Sequence, residues 1–505
     1  MKHWHLLSGT ACILVAAGTS AAQADVTSAD VWAAWQSMAT QMGETLTAGS
    51  ETQDGGTLTV TDMAVSMETT DASATGTIPE VVFTENGDGT VSITMTPSYD
   101  VMLNVTPEEG GETVEMSLNI AYEGLNLTAS GDPDAVNYDF DASSVTISVG
   151  DLVVDEEQME LDVDVTLSDV AGSYETGADA SVVSKVTAAT MNLVAHMDEP
   201  DGGDGTFDMT AELADISMES EGSVALMAGG VKELSTALAN GQSSMTTVTH
   251  GAGSYEVVLD NKDDSFDLNG SAESGALTVG LSSEALTYDV SNTGIAMNLS
   301  GAQIPLPEVA VTMAEMGFAL TTPVSKSEEP QDFAFALTLN ELGVSEMIWG
   351  LIDPSGALPH DPATLRLDLA GKANFLFDLF DPESMEMVDA EMPAEIHELD
   401  VNELKLEVAG ADLTGNGGFT FDMNNLETFD GVPAPTGRLN LQLTGANALL
   451  DNLVAMGLLP QDQAMGARMM MGLFARPGEG EDSLVSEIEI DGATGAISAN
   501  GQRLQ

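Results

Sequence analysis

The sequence predicts a mainly β protein, with elongated antiparallel sheets that are one-faced or packed as a sandwich, and a few short capping helices. Two observations predict this class. Apolar and polar residues alternate with a period of two over long stretches such as Met159–Leu167 and Val114–Tyr122, which is typical of antiparallel strands with one buried face. Turn signals such as Asn86–Gly89 separate these stretches, and the crossover helices that a parallel sheet requires are missing.

The first 24 residues predict a cleavable secretory signal peptide. Lys2 lies in the basic segment, Leu6–Ala17 forms the apolar core, and Ala22-Gln23-Ala24 is an A-x-A cleavage site. Cleavage would leave 505 − 24 = 481 residues. The alternative is a lipoprotein anchored at Cys12, but the apolar run continues past this residue. We therefore expect a periplasmic protein without a transmembrane segment after signal removal, because no later apolar run reaches about 18 residues.

The residue types exclude several classes of function. The chain has 82 acidic and 12 basic residues, a net charge of 12 − 82 = −70. Nucleic acids and anionic membrane surfaces are bound through clustered Lys and Arg, so neither is an expected partner. The mature chain would have no thiol, which excludes disulfides and cysteine metal sites. We interpret the acidity as a solubility feature, with calcium or a cationic partner as the alternative, and we expect no cofactor.

The predicted helices divide the strands into two regions. Residues 25–220 are expected to form an N-terminal β region with a leading helix, and a phase change of the alternation near Asp62 predicts a β-bulge there. Residues 221–505 are expected to form a C-terminal β region. Its helices are expected near residues 224–240, 344–352, 446–459 and 463–475.

The leading helix is predicted near residues 30–43. Thr27 and Asp30 have the spacing of a capping box. Trp32 and Trp35 lie on one face of the helix together with several methionines. Side chains in a stripe of this kind are usually buried in a hydrophobic core. We therefore interpret the helix as a plug that covers the edge or end of a sheet.

The densest run of unusual residues is 339–383. Ser345 is expected to cap a short, mainly buried helix that ends before Pro354. His360 beside Asp361 has two interpretations, a catalytic or metal-binding pair or a polar turn. We favour the turn, because a single His without other nearby His or Cys residues does not reach the ligand count of a metal site.

The helix predicted near 463–475 is rich in methionine. One interpretation of this helix is a soft apolar contact surface for lipid or protein, and the other is an ordinary core helix, which is the more common reason for such a stripe. The residues of this candidate surface are Met465, Met469, Met470, Leu473 and Phe474.

Motifs of common enzymes are missing from the sequence. It contains no G-x-S-x-G elbow, no H-E-x-x-H and no Walker A motif. A carboxylate-dependent hydrolase stays as an alternative, but with 82 acidic residues no pair of carboxylates can be distinguished from the rest. We therefore expect a protein that is not an enzyme.

Several segments resemble a family of secreted proteins of Gram-negative bacteria, the domain-of-unknown-function 2125 family. The segments are Trp349–Pro354, Leu358–Thr364, Gln461–Asp482 and Ala499–Gln502, and the resemblance is expected to cover essentially the whole mature chain. It implies no activity and no catalytic residues, because the family has none assigned. His360 stands where the family pattern commonly has Arg, which argues against catalysis by this residue. More loosely, the chain is similar to AsmA-like envelope proteins, which are linked to lipid handling.

A long one-faced sheet needs something against its apolar side. We therefore expect a non-enzymatic envelope protein that binds a lipid or another envelope protein through this face. The alternative is a structural β-sandwich without a ligand, in which a second sheet covers the face.

Overall fold

The computed structural model describes residues 25–69, 72–106, 111–155, 157–177, 181–199, 203, 205–223, 226, 231–261, 264–380 and 394–504. The predicted signal peptide lies outside these residues. The prediction of a mainly β, antiparallel protein with short helices is confirmed. Contacts divide the chain into an N-terminal unit, which extends to Ser283 and includes Gly301–Gln303, and a C-terminal unit of Glu284–Ser300 and the residues from Ile304 onward.

The N-terminal unit contains two described helices, α1 (Ser28–Gln41) and α2 (Val231–Ala239). Its strands are β1 (Glu44–Thr47), β2 (Ser50–Asp54), β3 (Thr57–Glu68), β4 (Ala72–Glu85), β5 (Val91–Met95), β6 (Ser98–Val105), β7 (Val114–Glu123), β8 (Asn126–Asp132), β9 (Ala135–Val154), β10 (Glu157–Met159), β11 (Leu161–Thr176), β12 (Ser181–Asp198), β13 (Thr206–Ser223), β14 (Ser244–His250), β15 (Gly253–Asn261), β16 (Asp264–Ala272) and β17 (Ser274–Leu281).

These strands form an antiparallel meander in which most strands pair with the next strand in sequence or with the next but one. β5 and β6 pair with the two halves of β4, and β7 and β8 pair with the two halves of β9. β14 and β15 divide β13 in the same way. The pairing of β13 with strands beyond residue 240 carries the sheet past residue 220, where the sequence suggested a boundary.

The long strands change their inward-facing phase at acidic residues. Val60 and Met63 are both buried, and Asp62 between them has a φ of 48°. The expected phase change is therefore present, but the register of β3 with β4 is unbroken there. The feature is a kink rather than a bulge with an extra residue. Asp169 in β11 and Asp215 in β13 have φ values of 49° and 52°, in the left-handed region that Asp tolerates better than most residues.

α1 supplies the main cover of the N-terminal core. The capping box is confirmed, because Thr27 and Asp30 each accept a hydrogen bond from the backbone N–H of the other. The helix buries Trp32 and Trp35, and the Trp35 ring meets the Phe83 ring edge-on at 5.1 Å between centroids. The core continues from this contact across the face of the sheet.

The C-terminal unit is a second antiparallel meander. Its described helices are α3 (Glu346–Ile352), α4 (Ala446–Ala455) and α5 (Gln461–Phe474). Its strands are β18 (Ala285–Gly301), β19 (Val309–Pro323), β20 (Gln331–Val344), β21 (Ala363–Phe375), β22 (Ala394–Val408), β23 (Ala411–Asp422), β24 (Ala434–Thr444), β25 (Arg476–Pro477), β26 (Ser483–Asp491), β27 (Ala496–Ala499) and β28 (Gln502–Arg503).

α3 lies where the sequence predicts it, but the prediction that it is buried is wrong. Met347, Leu351 and Ile352 are exposed, and no residue of the helix is fully buried. Ser345 occupies the N-cap position without a side-chain hydrogen bond to the helix. The aliphatic side chains of α3 are largely exposed, and Trp349 stacks on the ring of His360 in the loop that follows the helix.

Candidate functional site

The N-terminal unit encloses an apolar groove of about 360 Å³. The C-terminal turns of α1 lie at one side, and the inner face of the sheet forms the rest. The lining residues are mostly aliphatic, Met or aromatic: Trp35, Met38, Ala39, Met42, Leu46, Met63, Val65, Ala74, Gly76, Ile78, Tyr99, Val101, Ile120, Phe140, Val145, Ile147, Leu167, Val170, Tyr174, Val186 and Met218, with Glu44, Thr75, Ser184, Ser220 and Thr246 as the other polar members.

The lining shows that this sheet is strongly curled. It includes residues of β3, β4, β6, β7, β9, β11, β12, β13 and β14, which pair in this order. Nine flat neighbouring strands would span about 38 Å. A single groove of about 360 Å³ can contact them all only if their inner faces curve towards one another.

The polar groups of the groove are few and mostly uncharged. Ser220 and Thr246 share a hydrogen bond of 2.9 Å between their hydroxyl oxygens, and the Tyr174 hydroxyl lies 3.1 Å from the Met38 sulfur. Burial raises the pKa of Tyr99 above its ordinary value, so this side chain stays neutral. Among the described residues, the Tyr99 hydroxyl has no hydrogen-bond partner.

Glu44 is the one charged side chain among the described residues that line the groove. It is half-buried, and its strand register pairs it with Met67. Leu46, two residues further along β1, pairs with Val65 deeper in the lining. Met67 is not a lining residue, so Glu44 lies at the rim. Desolvation by burial raises the pKa of this carboxyl above its usual range.

The C-terminal unit has an apolar surface of a different kind. Rows of apolar side chains cross successive strands in register, and none of the members of the two central rows is fully buried. One row is Val290, Phe318, Leu337, Leu367, Leu404, Gly415 and Leu441, and its neighbour is Tyr288, Leu320, Phe335, Leu369, Val401, Gly417 and Leu439. This surface is an open face, whereas the N-terminal groove lies between α1 and the inner face of the sheet.

The methionine-rich helix α5 exposes most of its candidate contact residues. Met465 and Met469 are 65% and 72% exposed, Met470 and Leu473 are also exposed, and Phe474 is half-buried. The core-helix interpretation is therefore wrong for the four exposed side chains. The contact-surface interpretation stays a prediction. The helix is held instead by Arg468, which donates hydrogen bonds to Asn447 and Asp451.

His360 does not form a pair with Asp361. Its ring stacks on Trp349 at 4.3 Å between centroids, and Nδ1 lies 3.2 Å from a Glu346 carboxylate oxygen. Asp353 is buried beside it and accepts hydrogen bonds from the Leu358 N–H and the Ser355 hydroxyl. The arrangement stabilises a loop. Within the described ranges, no three His, Cys, Asp or Glu side chains are grouped as metal ligands.

No helix in the described part of the chain combines the length and the apolar character that crossing a bilayer requires.

Comparison with protein families identifies the C-terminal half. Residues 243–501 match the DUF2125 family, described as an uncharacterized protein conserved in bacteria. The chain belongs to this family. The resemblance expected from the sequence is confirmed, but its extent is corrected, because the family match begins at residue 243 rather than near the start of the mature chain. Among curated proteins, no sequence matches the chain.

The family segment and the enclosed groove occupy different parts of the chain. The segment contains α3, α4, α5 and the open face, whereas only Thr246 of the groove lining lies inside it. The groove is not predictable from the alternation pattern, although Leu167 of the predicted strand Met159–Leu167 is in its lining. One signal was present, since Glu44 shares the alternation phase of Leu46 and so places a carboxylate on an apolar face.

Proposed function

We propose that this protein is a non-enzymatic lipid-binding protein that holds a hydrocarbon chain in the groove of its N-terminal unit. The observation that carries the proposal is the apolar groove of about 360 Å³ between α1 and the sheet. Small-molecule sites typically have volumes of about 300–1,000 Å³. This groove lies near the lower end of that range, which favours one chain over a two-chain lipid.

The lining suits a flexible aliphatic ligand. Burial of each methylene group contributes about 0.8 kcal/mol, so chain length rather than hydrogen bonding would dominate the affinity. Met38, Met42, Met63 and Met218 lie around the groove. Because Met side chains are unbranched and adapt to irregular shapes, they can follow chains of different conformation.

We further propose that the protein acts in the periplasm after removal of residues 1–24. The segment has a basic start, an apolar core and a small-residue cleavage site. N-terminal sequencing of the protein from the envelope fraction is expected to begin at Asp25. Retention of Met1, or a lipid on Cys12, would contradict this part of the proposal.

The binding proposal is tested on the full chain purified from its native source. Mass spectrometry of an organic extract is expected to detect a co-purified lipid, and a fluorescent long-chain probe is expected to bind and to be displaced by that lipid. A lipid-transfer assay between vesicles then tests delivery. If no lipid co-purifies and no probe binds, the groove has no lipid function and the ligand-free structural protein is the correct interpretation.

Val65→Trp provides a matched test of the location. Val65 lines the groove, so an indole ring at this position would occupy space that the hydrocarbon chain needs. This variant is expected to weaken probe binding at least about tenfold, a loss of about 1.4 kcal/mol. The control is Val183→Trp, because Val183 is exposed on the opposite face of the same sheet. Equal binding by both variants would place the probe elsewhere.

A further inference from the structure

The rim of the N-terminal groove carries an unneutralised negative charge. Among the described residues, the Glu44 carboxylate has no hydrogen-bond or ion-pair partner, and the described lining contains no Lys, Arg or His. An unpaired carboxylate beside an apolar groove is unfavourable in the empty protein, because half-burial removes water without supplying a partner. A ligand group that supplies this partner would gain affinity.

The C-terminus of α1 adds to the negative electrostatic potential at the rim of the groove. Gly43, the residue before Glu44, follows the C-cap Met42, and the last turn of the helix contains no basic residue. The C-terminus of a helix carries a partial negative charge and favours cations within about one turn. The helix end and the carboxylate therefore attract the same kind of group at the same place on the rim.

We propose that the groove selects a single-chain amphiphile whose polar end is a protonated amine, with the Glu44 carboxylate as its counter-charge. The hydrocarbon chain lies among the aliphatic lining, and the ammonium group donates hydrogen bonds to Glu44 at the rim. An anionic head group, such as a fatty-acid carboxylate, is repelled at the same position. This inference rests on the proposed function and adds the class of head group to it.

The test uses three probes with the same chain and different head groups: dodecylamine, dodecanol and dodecanoate. The full mature chain is titrated with each at moderate salt concentration by displacement of a neutral fluorescent probe. We expect dodecylamine to bind about two- to fivefold more tightly than dodecanol, which is the range of one partly exposed ion pair, and dodecanoate to bind most weakly.

Glu44→Gln is expected to remove the preference for the amine and to strengthen dodecanoate binding. Glu68→Gln is the control, because it makes the same change of charge beside Met67, the cross-strand partner of Glu44, and Glu68 is exposed on the other face. The control is expected to keep the wild-type order, which separates a local effect from attraction by the acidic surface in general.

The outcomes distinguish the two proposals. Equal binding of the three probes, or an unchanged preference in Glu44→Gln, would overturn the head-group inference and leave lipid binding intact. A loss of preference in both variants would also overturn it, because the charge effect would then be nonspecific. If none of the probes binds to the wild-type protein, the proposed function fails and the head-group inference fails with it.

Discussion

The two units use the same strand alternation but cover their apolar faces differently. In the N-terminal unit, α1 and the curled sheet enclose a core in which Val60, Val81, Phe83 and Val91 are fully buried. In the C-terminal unit, the rows around Leu337 and Leu367 stay half-exposed, and many of the buried apolar residues are alanines. Period-two alternation therefore predicts which face of a strand is apolar, but it does not predict whether that face is enclosed.

The largest expected effect on stability comes from removing Phe83 in the N-terminal unit, and removal of Phe335 in the C-terminal unit is the comparison. Phe83 is fully buried against Trp32 and Trp35, whereas Phe335 is half-exposed beside Phe318. Phe83→Ala should lower the free energy of unfolding by about 3–5 kcal/mol. Phe335→Ala should lower it by only about 1–2 kcal/mol.

Urea unfolding followed by tryptophan fluorescence measures both variants, since Trp32 and Trp35 report on the N-terminal unit and Trp349 on the C-terminal unit. Equal losses of stability would show that the C-terminal face is covered in solution, and the contrast between the units would not hold.

A second, smaller effect on stability is expected at Asp353, a buried carboxylate of the C-terminal unit. The Leu358 N–H, with the Ala357 N–H and the Ser355 hydroxyl, lowers the pKa of Asp353 to about 2 from its ordinary value of 3.8. A lowered pKa of a carboxyl stabilises the fold above the unfolded-state pKa, and this stability is lost as the pH falls through the folded-state value.

Asp353→Asn should therefore melt several degrees lower than the wild type near neutral pH. The difference should shrink as the pH falls from about 4 towards about 2. Thermal unfolding followed by Trp349 fluorescence over this pH range checks the prediction, and a difference that does not change with pH would show that ionisation of Asp353 does not stabilise the loop.

Glu44→Gln, at the rim of the groove, is expected to change stability less than Asp353→Asn and in the opposite direction. Because burial raises the pKa of Glu44, the folded protein binds the proton more tightly, and stability falls as the pH rises through the folded-state value. The variant should be slightly more stable than the wild type at about pH 7, and equal to it below about pH 4, where both side chains are neutral. Calorimetry of the ligand-free protein measures this. A less stable variant at neutral pH would mean that a partner neutralises the carboxylate.

The smallest effect is expected on the exposed surface of α5. Met469→Gln removes an apolar side chain that is 72% exposed, so the free energy of unfolding should change by no more than about 0.5 kcal/mol. Thermal melts at two protein concentrations check this. A larger, concentration-dependent loss would show that Met469 is buried against another molecule in solution.

Much of the fold could be predicted because its signals are local. The alternation of Val114–Tyr122 reports a strand directly, and Thr27 with Asp30 reports a helix start through two short hydrogen bonds. The helices near 446–459 and 463–475 were located to within a few residues for the same reason.

The features that could not be predicted from the sequence depend on contacts between residues that are distant in the chain. Met347 and Leu351 lie within two apolar turns that predict burial, but among the described residues of the C-terminal unit none packs over them enough to bury them. The groove likewise could not be predicted from the sequence, because it depends on curvature of the sheet that brings Val65 of β3 and Thr246 of β14 to one site. The positive φ of Asp62 kinks β3 as well, and the sequence indicates this kink only by a change of phase.

The meander also determines how the chain can fold. Many strands pair with the strand that follows them directly in sequence, such as Ala411–Asp422 with Ala434–Thr444, so adding such a strand closes one loop and costs limited chain entropy. Each sheet can therefore grow by adding one strand at a time to its edge, as in a repeat protein whose stability is a sum of nearest-neighbour interfaces.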